Sequence, residues 1–318
     1  MTFSPDAEAI RARLLVEGIN NFWHFTPITN VKTIKGRGLY SKARLEREGL
    51  FDNVVTGGTP ESVRYDRERG NWDYVSLAYT HSTPMFWHRK KDLHLIYCEV
   101  SPEVACLENV LFTNKNALKQ NNGTTRQSGL TGLQEVQFQY FKPGRHPTVE
   151  WREFVQAEVL VPDCVERNYI SRVYTVSPLS KLYAELILGK PSTRVIVRPD
   201  LFQDNLGGQF SFPFLHSIRL FDLDTLAPIE GLNKDVFDWD TPEGPVWRIN
   251  QKVFAAFIAN ASLGTKLSCC LDDKLLSPPR TFNANGRGWI TDMLDLEDKQ
   301  GTLQVFLNDI CWFQCEVR

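Results

Sequence analysis

The stretch Glu153-Phe154-Val155-Gln156-Ala157-Glu158-Val159-Leu160-Val161 reads as a β-strand with one carboxylate where a carboxylate is least expected. In strand alternation Phe154, Gln156, Glu158 and Leu160 share one face, and Val155, Ala157, Val159 and Val161 share the other. Both faces are mostly apolar, which predicts a strand covered on both sides in the middle of a sheet. An ionised carboxylate there is costly unless a cation pairs with it or chemistry requires it. Taken alone the stretch leaves two readings open, a Glu paired with a nearby Arg and a catalytic carboxylate.

Outward from this strand, Ser or Thr followed by Pro marks helix starts at Ser4-Pro5, Thr26-Pro27, Ser101-Pro102 and Ser177-Pro178, since the hydroxyl caps an orphan N–H and Pro suits the first turn. The first helix is expected to run to about Gly18 with Ile10 and Leu14 on one face. Phe22-Trp23-His24-Phe25 reads as a short strand, Pro27 to Lys35 as a short helix, and Gly36 and Gly38 as its stop. Residues 49–72 and Asn114 to Gly132 lack a sustained period and are expected as long irregular loops, the second mobile and beside the Glu158 strand. Tyr74 to Tyr79, Leu93 to Val100 and Val195 to Arg198 read as further strands, and Ser177 to Leu188 as a helix. Asn205-Leu206-Gly207-Gly208 is the expected linker, after which short alternating runs with a turn at Asn308-Asp309 predict a β-rich second domain over residues 210–318.

With 318 residues, 42% hydrophobic and 23% charged, the chain has the composition of a globular protein with room for two domains. No apolar run reaches the ~18 residues of a membrane span and the N-terminus lacks a signal-peptide core, so a cytoplasmic location is expected. Seven scattered cysteines suit reduced thiols. Cys269-Cys270 with Cys311 and Cys315 match no zinc-ligand spacing, so no metal is expected. The charge is +2 over residues 1–178 and −4 over residues 179–318, too even to argue for nucleic-acid binding by itself. By composition alone His24 is a core or turn histidine and Arg67 part of a solvated charge run.

Residues 20 to about 204 resemble the DarT family of NAD-dependent DNA ADP-ribosyltransferases. His24-Phe25-Thr26-Pro27-Ile28-Thr29-Asn30-Val31 with Gly38-Leu39 is similar to the family's opening signature. Tyr74 to Tyr79 with Pro84-Met85 resembles a second block, and Gln156-Ala157-Glu158-Val159-Leu160-Val161-Pro162 the strand that carries the family's catalytic Glu. The chain departs from the family at Ser82-Thr83, where an Arg is usual, and Arg64 competes with Arg67 for the family's functional Arg.

The resemblance implies an α+β ADP-ribosyltransferase fold, a split mixed sheet with short helices, over residues 1–204, followed by the β-rich domain over residues 205–318. It implies NAD as the ADP-ribose donor, with Glu158 stabilising an oxocarbenium-like transition state. His24, Thr26 and Asn30 would contact the NAD, Tyr79 would pack on the nicotinamide, and Arg67 would hold the diphosphate and serve in catalysis. Arg126, Tyr140, Arg145 and His146 would meet a single-stranded DNA acceptor. The activity would be that of a toxin in a toxin–antitoxin or anti-phage system. Its alternatives are an mRNA modifier and a non-catalytic scaffold. The acidic second domain, with Trp239, Trp247, Trp289 and Trp312, is expected to bind an antitoxin or chaperone protein rather than phosphates.

Overall fold

Val159, Leu160 and Val161 are fully removed from solvent, as a run of three apolar residues requires when both faces of a strand are covered. The computed structural model that shows this describes residues 2–55, 60–89, 94–117, 124–142, 148–177, 180–181, 184–185, 188, 194–202, 214–221, 237–238, 246–247, 253–261, 264–284, 288–296 and 299–317. The chain forms two compact units, the first comprising Met1–Lys91, Leu95–Thr175 and Leu188–Ile196, the second Asp92–His94, Val176–Ile187 and Val197–Arg318.

The first unit is α+β. Its elements are α1 (Ala7–Val16), β1 (Phe22–Pro27), α2 (Val31–Arg37), β2 (Leu39–Tyr40), α3 (Lys42–Arg47), α4 (Pro60–Glu68), β3 (Tyr74–Ala78), α5 (Pro84–Arg89), β4 (Leu95–Val100), β5 (Leu111–Thr113), β6 (Arg126–Ser128), α6 (Gly129–Gln134), α7 (Val149–Phe154), β7 (Glu158–Pro162), β8 (Cys164–Val165), β9 (Ile170–Thr175) and β10 (Arg194–Val197). Eight of the strands form one sheet in the order β10-β9-β4-β1-β3-β7-β5-β6. β1 pairs along its whole length with β4 but meets β3 at one register position, Trp23 opposite Ala78. β3 in turn pairs with β7 from Tyr74–Pro162 to Ala78–Glu158. Trp23, Ala78 and Glu158 therefore stand in one row across the sheet, and beyond that row the ladder between β1 and β3 stops. The sheet is split there.

Local chemistry explains most boundaries. Ile10 and Leu14, four apart on α1, are both buried, as expected. Ser41 Oγ caps α3 by accepting from Arg44 N–H at 3.2 Å, and Thr148 Oγ1 caps α7 by accepting from Trp151 N–H at 3.0 Å. The second cap corrects the expected strand. Residues 153 and 154 close α7, whose Trp151 is buried, and the strand begins at Glu158 itself. The cap and the buried Trp outweigh the apparent alternation of that short segment.

Residues 49–72 are likewise not one loop but contain a 3-10 turn, Phe51–Asn53, and α4, whose Glu and Arg residues favour a helix without an apolar stripe. The polar stretch after Asn114 holds β6 and α6, while residues 118–123 lie outside the described residues. Pro27 ends β1 rather than opening a helix.

The second unit contains β11 (Phe214–Phe221), β12 (Phe237–Asp238), β13 (Val246–Trp247), β14 (Val253–Ala261), β15 (Lys266–Leu271), β16 (Lys274–Leu275), β17 (Arg280–Thr281), β18 (Gly288–Asp295), β19 (Gly301–Leu307) and β20 (Ile310–Val317). They make a three-stranded sheet, β11-β14-β18, and a seven-stranded one around β20-β19-β15. The expected turn joins β19 to β20 with Asn308 and Asp309 at φ 50° and 65°, the left-handed pair of a tight hairpin. The expected linker at Asn205–Gly208 lies outside the described residues.

Gly38 shows why the first unit needs a glycine after α2. Its φ is +88°, and a Cβ there would stand 2.1 Å from the carbonyl oxygen of Val165. Backbone is pressed against backbone where β2 joins β8. Gly38→Ala is therefore expected to cost more than about 2 kcal/mol, read as a lower midpoint in urea unfolding, whereas Gly36→Ala, with open space at its Cβ, should leave the midpoint unchanged or raise it.

Candidate active site

The split between β1 and β3 opens into a cleft of about 230 Å³. Its walls come from β1 (Trp23 to Thr26), from the start of α3 (Lys42), from α4 (Asp66), from the cleft side of β3 (Tyr74, Ser76, Ala78) and from the segment entering β7 (Gln156 to Glu158). Glu158 is at the head of a central strand, where the side chain is enclosed but the cleft still reaches it.

Enclosure in protein pushes the Glu158 carboxyl up to about 7, and the negative charge of Asp66 adds to the rise. Three groups oppose it: the backbone N–H of Ala117, which donates to Oε2 at 3.2 Å, the ammonium of Lys42 and the hydroxyl of Ser76. The backbone is fixed as well, since Glu158 N–H donates to Thr113 Oγ1 at 2.9 Å and that hydroxyl donates to the Lys115 carbonyl at 2.7 Å. The Arg partner that would have made Glu158 a structural ion pair is not among the residues lining the cleft.

On the opposite wall, His24 Nδ1 lies 3.1 Å from the Ser76 carbonyl oxygen. A carbonyl can only accept, so Nδ1 carries the proton and Nε2 is left as an acceptor. Burial, with a smaller contribution from the charge of Lys42, holds the imidazole below its ordinary pKa, so the ring is neutral at physiological pH. Asn30 is a clamp: its Nδ2 donates to Thr26 Oγ1 at 2.8 Å and to the Val55 carbonyl at 2.7 Å, and its Oδ1 accepts from Val55 N–H at 3.0 Å. The Thr26 hydroxyl still has its own hydrogen to donate.

Of the residues marked from the sequence, the cleft brings together Glu158, His24, Thr26 and Asn30. Others are placed elsewhere. Tyr79 follows Ala78 and so takes the other face of the sheet, where its ring meets Phe22 edge-on at 5.4 Å and stacks on Phe141 at 4.9 Å. It is a buried core residue and is not among the residues lining the cleft.

Arg67 points outward, 61% exposed, paired with Glu46 and lying 4.3 Å over the Trp72 ring. Arg64 is as exposed and pairs with Glu68. Arg126 donates to the carbonyls of Arg69 and Gly70 at 3.0 and 2.8 Å, tying β6 to the end of α4. Tyr140 stacks on Phe154 at 4.9 Å, and its carbonyl accepts from Trp151 Nε1 at 3.1 Å. Arg145 and His146 lie outside the described residues.

Sequence reasoning missed an ion pair that does face the cleft. Lys42 Nζ donates to Asp66 Oδ2 at 2.6 Å, with side chains only 26% and 15% exposed. Asp66 and Arg67 are neighbours in one charged run, and both fall within a turn of Val63, so no signal in the sequence tells the inward one from the outward one.

A model of the family described as "ssDNA thymidine ADP-ribosyltransferase, DarT" matches residues 23–203, more than half of the chain. A fusion protein of Thermosipho africanus (strain H17ap60334), described as DNA ADP-ribosyl transferase-DNA ADP-ribosyl glycohydrolase, is 25% identical over 173 residues, covering 48% of this chain. The match spans 41% of that relative's length. Among solved structures, Thermosipho africanus DarTG in complex with ADP-ribose is similar with a TM-score of 0.47 at 20% identity, over 57% of this chain and 51% of that one. Thermus sp. 2.9 DarT in complex with ADP-ribosylated ssDNA gives 0.47 at 16% identity, over 58% and 97%. With the family match running from the His24 strand past the Glu158 strand, and Glu158 enclosed in the cleft those strands form, the chain belongs to the DarT family.

Proposed function

We propose that this protein transfers the ADP-ribosyl group of NAD⁺ to a thymine base of single-stranded DNA. The observation that carries the reading is the enclosed, cation-poor carboxylate of Glu158, lying inside the family match together with His24 and Thr26. Breaking the bond between nicotinamide and ribose leaves positive charge spread over the ribose. A carboxylate enclosed in protein, aimed at a ribose hydroxyl, stabilises that charge more than water does. His24 offers a neutral acceptor nitrogen and Thr26 a hydroxyl donor to the same end of the substrate. Thr113 and Ala117 hold Glu158 in place, so its orientation does not have to be found during the reaction.

A single-stranded acceptor suits a cleft that works on a base, because a base inside a duplex is stacked and paired and has to be extruded first. The fusion relative's description joins a DNA ADP-ribosyl transferase to a DNA ADP-ribosyl glycohydrolase, and on that pairing of opposed activities we assign this chain a glycohydrolase partner that removes the modification and a place as the toxin of a cytoplasmic toxin–antitoxin pair. The acidic residues 205–318 lie outside the family match and are assigned here to binding a protein partner. No helix among the described residues is long and apolar enough to cross a membrane.

The direct test is incubation of the full chain with adenine-labelled NAD⁺ and oligonucleotides that contain or lack thymine. Label should move to single-stranded, thymine-containing DNA, in preference to the duplex and to RNA of the same sequence. Glu158→Gln should lose at least about a hundredfold in rate, close to 3 kcal/mol of transition-state stabilisation, with NAD⁺ affinity kept; an active variant would remove the central claim.

A pH profile supplies a second readout. The carboxylate acts in its charged form and its pKa is pushed up to about 7, so kcat/KM for NAD⁺ should rise with unit slope toward pH 7 and then level off. Because folding raises this pKa, the folded state binds the proton more tightly, and the group's contribution to stability is lost as pH rises from the ordinary carboxylate range through about 7. Glu158→Gln should accordingly melt at a higher temperature than the wild type at pH 8, with the difference shrinking toward pH 5.

A further inference from the structure

Transfer from NAD⁺ to a base has a proton count that Glu158 does not close. The bond between ribose C1′ and the nicotinamide nitrogen breaks, its electron pair leaves with the nicotinamide, and a neutral pyridine departs that needs no proton. The acceptor's ring N–H then forms the new bond to C1′ with the pair that held its hydrogen. That proton has to go to a base.

Two carboxylates line the cleft among the described residues, Glu158 and Asp66. Glu158 accepts from the Ala117 N–H and, in the proposed reaction, from the ribose hydroxyl. Asp66 is differently placed. It comes from α4 on another wall of the cleft, its Oδ2 receives the Lys42 ammonium at 2.6 Å, and its Oδ1 has no hydrogen bond from the described residues. Only 15% of the side chain is exposed, so the group is held by Lys42 and protected from bulk water while one oxygen stays open. The arginine of the same helix turn faces away.

We infer that Asp66, positioned by Lys42, is a second catalytic residue, the base that takes the proton from the acceptor ring nitrogen as the glycosidic bond forms. This rests on the proposed transfer to DNA. Lys42 holds Oδ2 with its ammonium, which fixes the carboxylate in the cleft wall and leaves Oδ1 for the acceptor's proton. Glu158 and Asp66 thereby divide the chemistry, one stabilising the developing cation and the other accepting a proton, a separation that two carboxylates in unlike surroundings allow.

The experiment compares wild type, Asp66→Asn, Asp66→Glu and Glu158→Gln in two reactions: nicotinamide release from NAD⁺ without DNA, where water is the acceptor and bulk solvent removes its proton, and labelling of a single-stranded thymine oligonucleotide. Asp66→Asn should lower labelling at saturating oligonucleotide at least fiftyfold more than it changes nicotinamide release. Asp66→Glu should recover part of the labelling, and Glu158→Gln should lose both reactions. If Asp66→Asn labels as wild type does, or if release and labelling fall together, the assignment is overturned. A wild type that labels no single-stranded DNA overturns the functional reading itself and this assignment with it, so the two failures are told apart in the same assay.

Discussion

A carboxylate at the head of a central strand, enclosed but not neutralised by an arginine, is the constraint on which the rest of the site depends. Removing Glu158 from water raises its pKa, and Asp66 raises it further. The protein offsets this only partly, with one backbone N–H, one hydroxyl and a lysine that is already engaged with Asp66. A group meant only for stability would have gained more from a bidentate arginine or from an apolar replacement. Partial compensation leaves a charge that responds to what enters the cleft.

The sheet supplies the rigidity that such a charge requires. Pairing of Ala78 with both Trp23 and Glu158 fixes where the split begins, and the fully buried Val159 to Val161 keep β7 from shifting. The polar parts come from shorter elements that are tied down individually. Asn30 joins Thr26 to Val55 through three hydrogen bonds, Arg126 holds β6 to the end of α4, and Tyr140 packs against Phe154 at the end of α7. Arg126 and Tyr140, marked from the sequence for the acceptor, brace the loops around the cleft in this structure.

The contrast between Asp66 and Arg67 shows how strongly function depends on a helix's rotation. Successive residues on a helix differ by about 100° in direction, so one position decides whether a side chain enters the cleft or meets solvent. Arg67 is committed outside by Glu46 and by the face of Trp72, whose indole nitrogen also donates to Glu46 at 2.8 Å. That external knot orients α4 and leaves Asp66 to Lys42. Among the described residues the cleft presents Asp66 and Lys42, while Arg67, the arginine marked from the sequence, faces solvent.

Much was legible in the sequence because its causes are local. Three successive apolar residues determined that β7 is central, spacing of four determined the buried side of α1, and Asn308-Asp309 determined a tight hairpin. The motif order was sufficient to single out His24, Thr26 and Glu158. What the sequence left undecided depends on caps, burial and pairings that the local hydrophobic pattern does not show. Whether residues 153 and 154 continue a strand or close a helix turned on the Thr148 cap and the burial of Trp151. Tyr79 went to the core because Ala78, one residue earlier, shares a row with Glu158. The Lys42–Asp66 pair joins positions 24 residues apart, and neither position carries a local mark, because any Lys or Asp on a short polar helix looks like solvated surface until tertiary packing decides which side is shut away from water.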